Sequence, residues 1–329
     1  MMLRAFPFIL FFLLLAGGAA SEEVTRKRLA LRELVEMANA GDPKSLYDLA
    51  SLHDRGYDSI PIDSSRSTAL YRLSAAKGYA RAENYLGFRY FKGEFVEQNI
   101  DSALFWIAKA AEDGDITAAN NLGYLFTESD VVPRDYQKGV CWLKKAADAG
   151  LPQAESQLAD LYRQGLGVAP DTAFAVTLYN RAIDKGLHDA ELKLISMMGK
   201  KWEKLSADSA VALGRYYYSR HAPVAGVILF KNAAKNNNPV ALALLGDAYS
   251  KGKGIDYDHT QSIKFYFQAA ELGNPSAQFV IAELLDIFPD ALPDSVPPAA
   301  YWYERAAASG ITDAESATRA LIQNIDSGN

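Results

Sequence analysis

The sequence predicts an all-α protein, an α/α superhelical solenoid of repeated helix-turn-helix units. Three observations carry this expectation. A small residue returns at a fixed interval: Ala82, Ala118, Ala154 and Ala190 are each 36 residues apart, Ala241 and Ala277 again 36, and Ala314 follows after 37. Within each interval the apolar residues recur three and four apart, the spacing of one helix face and not of a strand. Glycines close the intervals at Gly78, Gly114, Gly150, Gly186, Gly273 and Gly310. Self-similarity at a period of roughly 20–50 residues is the sequence signature of stacked repeats.

The first helix of each unit follows from its slots. A branched aliphatic comes first: Leu49, Leu86, Leu122, Leu158, Leu213, Leu245 and Ile281. A tiny residue follows it: Ala50, Gly87, Gly123, Ala159, Gly214, Gly246 and Ala282. Three further on stands an aromatic at Tyr90, Phe126, Tyr162, Tyr217 and Tyr249, with His53 and Leu285 as exceptions. The tiny slot marks a place where another helix approaches closely, because a larger side chain there overpacks the contact.

The second helix carries a small residue, a bulky one three later, and then a small pair. The bulky slot reads Tyr71, Trp106, Trp142, Leu178, Leu229, Phe265 and Trp302, and pairs such as Ala110-Ala111 and Ala146-Ala147 follow it. The closing glycine suits a left-handed C-terminal cap. Between the helices lie Gly93, Gly165-Leu166-Gly167 and Gly252-Lys253-Gly254, with Asp101, Asp171 and Asp258 near the next helix start as capping carboxylates.

The run A-x-x-x-L-G-x-x-Y, then G-x-G-V/I, then A-x-x-W-x-x-K-A-A-x-x-G resembles the Sel-one-like repeats (SLR), relatives of the tetratricopeptide repeats. It covers about 45–313. The resemblance implies a curved stack whose first helices line the concave side and grip a protein or peptide. By that resemblance the inward positions include Tyr47, Ser51 and Asp54; Asn84, Phe88 and Phe91; Asn120, Tyr124 and Thr127. In later units they include Ser156, Asp160 and Arg163; Val211, Arg215 and Tyr218; Ala243, Asp247 and Ser250. The residues expected to hold a partner are Tyr47, Asn84, Phe88, Asn120, Tyr124, Asp160, Arg163, Arg215 and Asp247. Rings supply rigid apolar area, and amides pair with a peptide backbone.

The register breaks once. Ile195 takes the tiny slot after Ala190, no standard second helix follows, and Asn236-Asn237-Asn238-Pro239 replaces a glycine stop. The organisation expected is a cleavable leader at 1–20, a capping helix within 21–44, and four units over 45–189. A degenerate unit or hinge follows at 190–208, then three units over 209–313 and a capping helix with tail at 314–329. In the leader, Arg4 precedes the apolar run 5–15 and the small residues 16–20, the pattern of an export signal cut after Ala20. The apolar run is shorter than the ~20 residues of a bilayer span, so no stable membrane span is expected after cleavage. The protein is therefore expected to be exported: periplasmic or secreted in a bacterium, or in the secretory-pathway lumen of a eukaryote.

Composition narrows the chemistry. A net charge of −6 argues against a nucleic-acid surface. The one cysteine, Cys141, offers no disulfide framework, and its place beside Trp142 reads as buried filler. His53, His188, His221 and His259 show no metal-ligand spacing, so neither cofactor nor metal is expected. Ser74-Ala75-Ala76-Lys77 matches the S-x-x-K of acylating β-lactam enzymes, without the accompanying S-D-N and K-T-G elements. A Cys-rich branch of the resembled family is linked with β-lactamase activity, and this chain lacks its cysteines. The reading is a non-enzymatic adaptor. Its alternatives are a β-lactam or cell-wall hydrolase and a spacer without a specific ligand.

Overall fold

The computed structural model describes residues 29–57, 60–289, 292–293 and 295–326. The leader at 1–20 lies outside the described residues. The chain divides into two compact units, 1–171 and 172–329. Seventeen helices and no strand occur among the described residues. No helix there is long and apolar enough to cross a membrane.

The first unit holds α1 (29–39), α2 (Pro43–Arg55), α3 (Ser64–Ala76), α4 (Ala80–Lys92), α5 (Ile100–Glu112), α6 (Ile116–Glu128), α7 (Tyr136–Asp148) and α8 (Pro152–Gln164). Helices α2/α3, α4/α5 and α6/α7 pack as hairpins, and each second helix packs on the next first helix. The first helices α4, α6 and α8 also touch in succession, which makes one continuous face. Helix starts are fixed by short acceptors: Asp63 accepts from the Arg66 N–H at 2.9 Å, Asp115 from Ala118 at 2.8 Å and Asp135 from Lys138 at 3.0 Å. At α5 the cap is Asn99, which accepts from Ser102 at 2.8 Å. Asp101 instead lies in the first turn, where its charge favours the helix dipole.

Close approach within each hairpin explains the tiny slot. A Cβ added to Gly87 would stand 2.5 Å from Ile107 Cγ1 and 3.0 Å from the Ala103 carbonyl, and one on Gly123 would collide with Leu143. The side chain that fills this contact is the neighbour of the bulky slot, not the bulky residue itself. Ile107 and Leu143 are fully buried, whereas Trp106 and Trp142 are half-buried. The aliphatic slots Leu49, Leu86, Leu122 and Leu158 are buried. The closing Gly114 holds φ +93° with open space around its Cβ position, so conformation and not room selects glycine there.

Cys141 departs from the expectation. Its thiol is exposed. On α7 the buried face is Gly139, Val140, Leu143, Ala146 and Ala147, and Cys141 lies on the opposite side. His53 is buried as the structural residue its slot implies, with Nδ1 3.2 Å from the Pro61 carbonyl.

The second unit holds α9 (Thr172–Asp184), α10 (His188–Trp202), α11 (Ala207–Ser219), α12 (Pro223–Ala234), α13 (Pro239–Lys251), α14 (His259–Glu271), α15 (Pro275–Ile287), α16 (Ala299–Ala308) and α17 (Thr312–Asp326). Helices α11/α12, α13/α14 and α15/α16 repeat the hairpin, while α10 packs on α9 and α12. The Glu191 carboxylate on α10 accepts from the Ala225 N–H at 2.7 Å, inside the first turn of α12. Gly214 and Gly246 face Phe230 and Tyr266 at Cβ distances of 2.6 and 2.8 Å, the same device as in the first unit. Leu213 is only half-buried, because the inward face of α11 is carried by Ala210, Val211, Gly214 and Tyr217. Where the glycine stop is missing, Asn237 takes the left-handed turn at φ +54°, which its short polar side chain tolerates.

Candidate functional site

In the first unit, α2 and α4 are joined by a dense aromatic and polar cluster. Tyr47 and Tyr71 meet edge-on at 5.4 Å, and Tyr71 stacks on Tyr85 at 4.3 Å. Beneath these rings the Arg89 guanidinium is buried, paired with Asp54 and bonded to the hydroxyls of Thr68 and Ser67. Ser67 and Tyr85 also donate to Asp54, at 2.5 and 2.9 Å. Burial raises the Asp54 pKa, but the bonds from Ser67, Arg89 and Tyr85 outweigh it and hold the carboxyl below its ordinary value. Burial foremost, with the Asp54 charge, pushes the Tyr71 hydroxyl well above the usual phenol range.

Phe95 closes this cluster from outside. Its ring lies 5.1 Å from the Arg89 guanidinium and is 65% exposed. It occupies the third position of the interhelix loop, where Gly167 and Gly254 stand in the sister loops, and it holds φ +60°. A bulky residue in this conformation is a strained exception.

Beside the cluster, a groove of about 430 Å³ opens along the first helices, with Tyr47, Arg81, Asn84, Tyr85 and Phe88 among its lining residues. Three of the expected partner-holding residues, Tyr47, Asn84 and Phe88, therefore line one groove. Asn84 Oδ1 accepts from Asn121 Nδ2 at 3.1 Å, which ties α4 to α6. Phe88 and Phe91 pack against the core formed by α5 and α6, with ring centroids 6.4 Å apart. Further along the face, Asn120 is half-buried with its Oδ1 sealed off and unbonded, and Tyr124 is 47% exposed. On α8, Asp160 and Arg163 face each other at 3.4 Å. Thr127 and Ser156 are buried, and Thr127 is bonded at 2.9 Å to the Gly123 carbonyl, so neither offers surface.

In the second unit Arg215 is exposed. Asp247 pairs with Lys251 at 2.6 Å and accepts from the Tyr218 hydroxyl at 3.3 Å. Val211 is buried. Ser74, the serine of the S-x-x-K match, is fully buried, and its hydroxyl is engaged by the Pro43 carbonyl at 2.6 Å. That arrangement leaves no open nucleophile at the motif.

Arg89, Arg81 and Phe95 were absent from the sequence-derived set. Arg89 had a legible signal: it stands two residues after the tiny slot, where the sister units carry the uncharged Leu52, Leu125, Leu161, Tyr216, Ala248 and Leu284. The family model for the Sel1 repeat matches residues 43–79, 80–115, 116–151, 152–187, 239–274 and 298–311, more than half of the chain. The chain belongs to the Sel1 repeat family. Helices α10–α12 fall between the matched Sel1 segments.

Among curated proteins, an 84-residue stretch is 30% identical to the ERAD-associated E3 ubiquitin-protein ligase component HRD3 of Candida glabrata. The match spans 25% of this chain and about a tenth of that relative. Among solved structures, a protective antigen of uropathogenic Escherichia coli strains with an SLR fold is 27% identical, with a TM-score of 0.49, over 88% of this chain and 67% of its own. A Sel1 repeat protein from Oxalobacter formigenes is also 27% identical, with a TM-score of 0.45, over 88% of this chain and 79% of its own.

Proposed function

We propose that this Sel1 repeat protein is an exported scaffold or adaptor that holds a protein or peptide partner along its first-helix, concave face. The partner-holding residues are Tyr47, Asn84, Phe88, Asn120, Tyr124, Asp160, Arg163, Arg215 and Asp247. The observation that carries the reading is the groove along α2, α4 and α6, where half-buried rings stand beside side-chain amides. Such a surface suits an extended segment, since rings bury apolar area at little entropic cost and amides match a peptide backbone. The curated relative is named as a component of a larger ligase assembly, which is consistent with a partner-holding role. The leader supports export, with Ser21 as the first residue of the mature chain.

The hydrolase reading is disfavoured by the buried Ser74 hydroxyl. The spacer reading differs from the adaptor only in having no specific ligand. Affinity capture with wild-type protein and with the Phe88→Ala/Asn120→Ala double variant tests the adaptor. A partner held by the wild type and lost by the variant supports it. Retention of every specific partner by the variant rejects the first-helix face, and capture of none leaves the spacer.

A further inference from the structure

We propose that the groove on α4 takes an acidic side chain carried on an extended segment of a protein partner, with Arg81 as its counter-ion. This rests on the first-helix face being the binding face, and it names the chemistry that face selects.

Charge pairing within the groove carries the argument. Three cations line it: Arg81, Arg89 and Lys92. Arg89 is neutralised by Asp54, and Lys92 stands 3.4 Å from Glu94. Arg81 is exposed and forms no ion pair among the described residues. It also sits in the first turn of α4, where the helix dipole disfavours a cation, so helix stability does not account for it. Two of the acceptors nearby are already engaged. Asn84 Oδ1 is engaged by Asn121, and Asp115 Oδ1 receives the Ala118 N–H as a helix cap.

The wall therefore presents donors: the Arg81 guanidinium and the free amide N–H groups of Asn84. A planar carboxylate suits a guanidinium fork. Tyr47 and Phe88 flank these donors with half-buried rings, so the residues beside the acid should be apolar. Glu94 and Asp115 also border the groove, which disfavours a doubly charged phosphate.

The test uses the immobilised full chain and three synthetic pools of octapeptides. Each pool has apolar residues around one fixed central residue, Glu, Gln or Lys, and retained peptide is quantified by mass spectrometry. The Glu pool should be retained about fivefold over the Gln pool at low salt, the size of one partly exposed charge-assisted contact. That preference should vanish in Arg81→Ala and in Arg81→Gln, persist in the outer-face control Lys144→Ala, and weaken as salt is raised. Equal retention of the Glu and Gln pools, retention of none, or a preference that survives both Arg81 variants overturns the inference. If all pools are held equally and lost in Phe88→Ala, the face is right and its acid selectivity is wrong. Retention untouched by Phe88→Ala as well as by the Arg81 variants counts against both.

Discussion

Arg89 on α4 and Asp54 on α2 form an ion pair whose arginine end is sealed from solvent between Tyr71, Tyr85 and Phe95. The pair joins the first two repeats, and at the position of Arg89 the sister units carry Leu52, Leu125, Leu161, Tyr216, Ala248 and Leu284, none of them charged. Removing one member of a buried pair strands the other, so Arg89→Ala should lower unfolding free energy by about 3 kcal/mol. The Arg89→Met/Asp54→Asn double variant should lose less, because it leaves no unpaired charge. Urea titration followed by circular dichroism measures both, and equal losses would show that charge pairing is not what the site contributes.

The same pair sets an acid sensitivity. The Asp54 carboxyl has an ordinary value of 3.8 and is held below it in the folded protein by its bonds to Ser67, Arg89 and Tyr85. The stabilisation is complete above the unfolded value and is lost as pH falls through the lowered folded value. The melting temperature of the wild type should therefore fall more steeply between about pH 4 and about pH 2 than that of Asp54→Asn. Parallel melting curves over that window would contradict the assignment.

Gly123 and Leu143 define how closely a hairpin closes. A side chain at Gly123 collides with the Leu143 branch, so Gly123→Leu should cost about 1–3 kcal/mol and visibly lower the melting temperature. Gly123→Ala combined with Leu143→Ala should recover part of what Gly123→Ala alone loses. A silent Gly123→Leu would mean the helices are not in contact there.

Cys141 is on the solvent face of α7. The native protein should release one equivalent of chromophore from a disulfide reagent without denaturant, and Cys141→Ser should change stability by no more than about 0.5 kcal/mol. A thiol that reacts only after unfolding would return it to the core.

The repeat interval, the tiny slots and the glycine stops were legible because each is a local rule applied many times. Gly87, Gly123, Gly214 and Gly246 all face a close neighbour, as their spacing implied. What escaped was specific to one copy or one turn of helix. Arg89 puts a charge in a single repeat at a slot that is uncharged in the others, and nothing in the repeat pattern predicts that Asp54, Ser67 and Thr68 converge on it. The bulky slot hid a smaller distinction: Trp106 and Trp142 are conspicuous, yet Ile107 and Leu143 take the deepest position. Cys141 was misplaced for the same reason, since one residue along a helix rotates a side chain by about 100°. Tyr47, Asn84 and Phe88 line one groove from first helices α2 and α4, while Thr127 and Ser156, at slots the resemblance also marks as inward, are buried.

Site-specific photo-crosslinking tests the binding face most directly. A benzophenone amino acid placed at Tyr124, exposed on first helix α6, should yield an adduct with the partner in the native compartment, and one at Phe105, exposed on second helix α5, should not. Adducts at Phe105 with none at Tyr124 would place the partner on the opposite side of the hairpins and contradict the account.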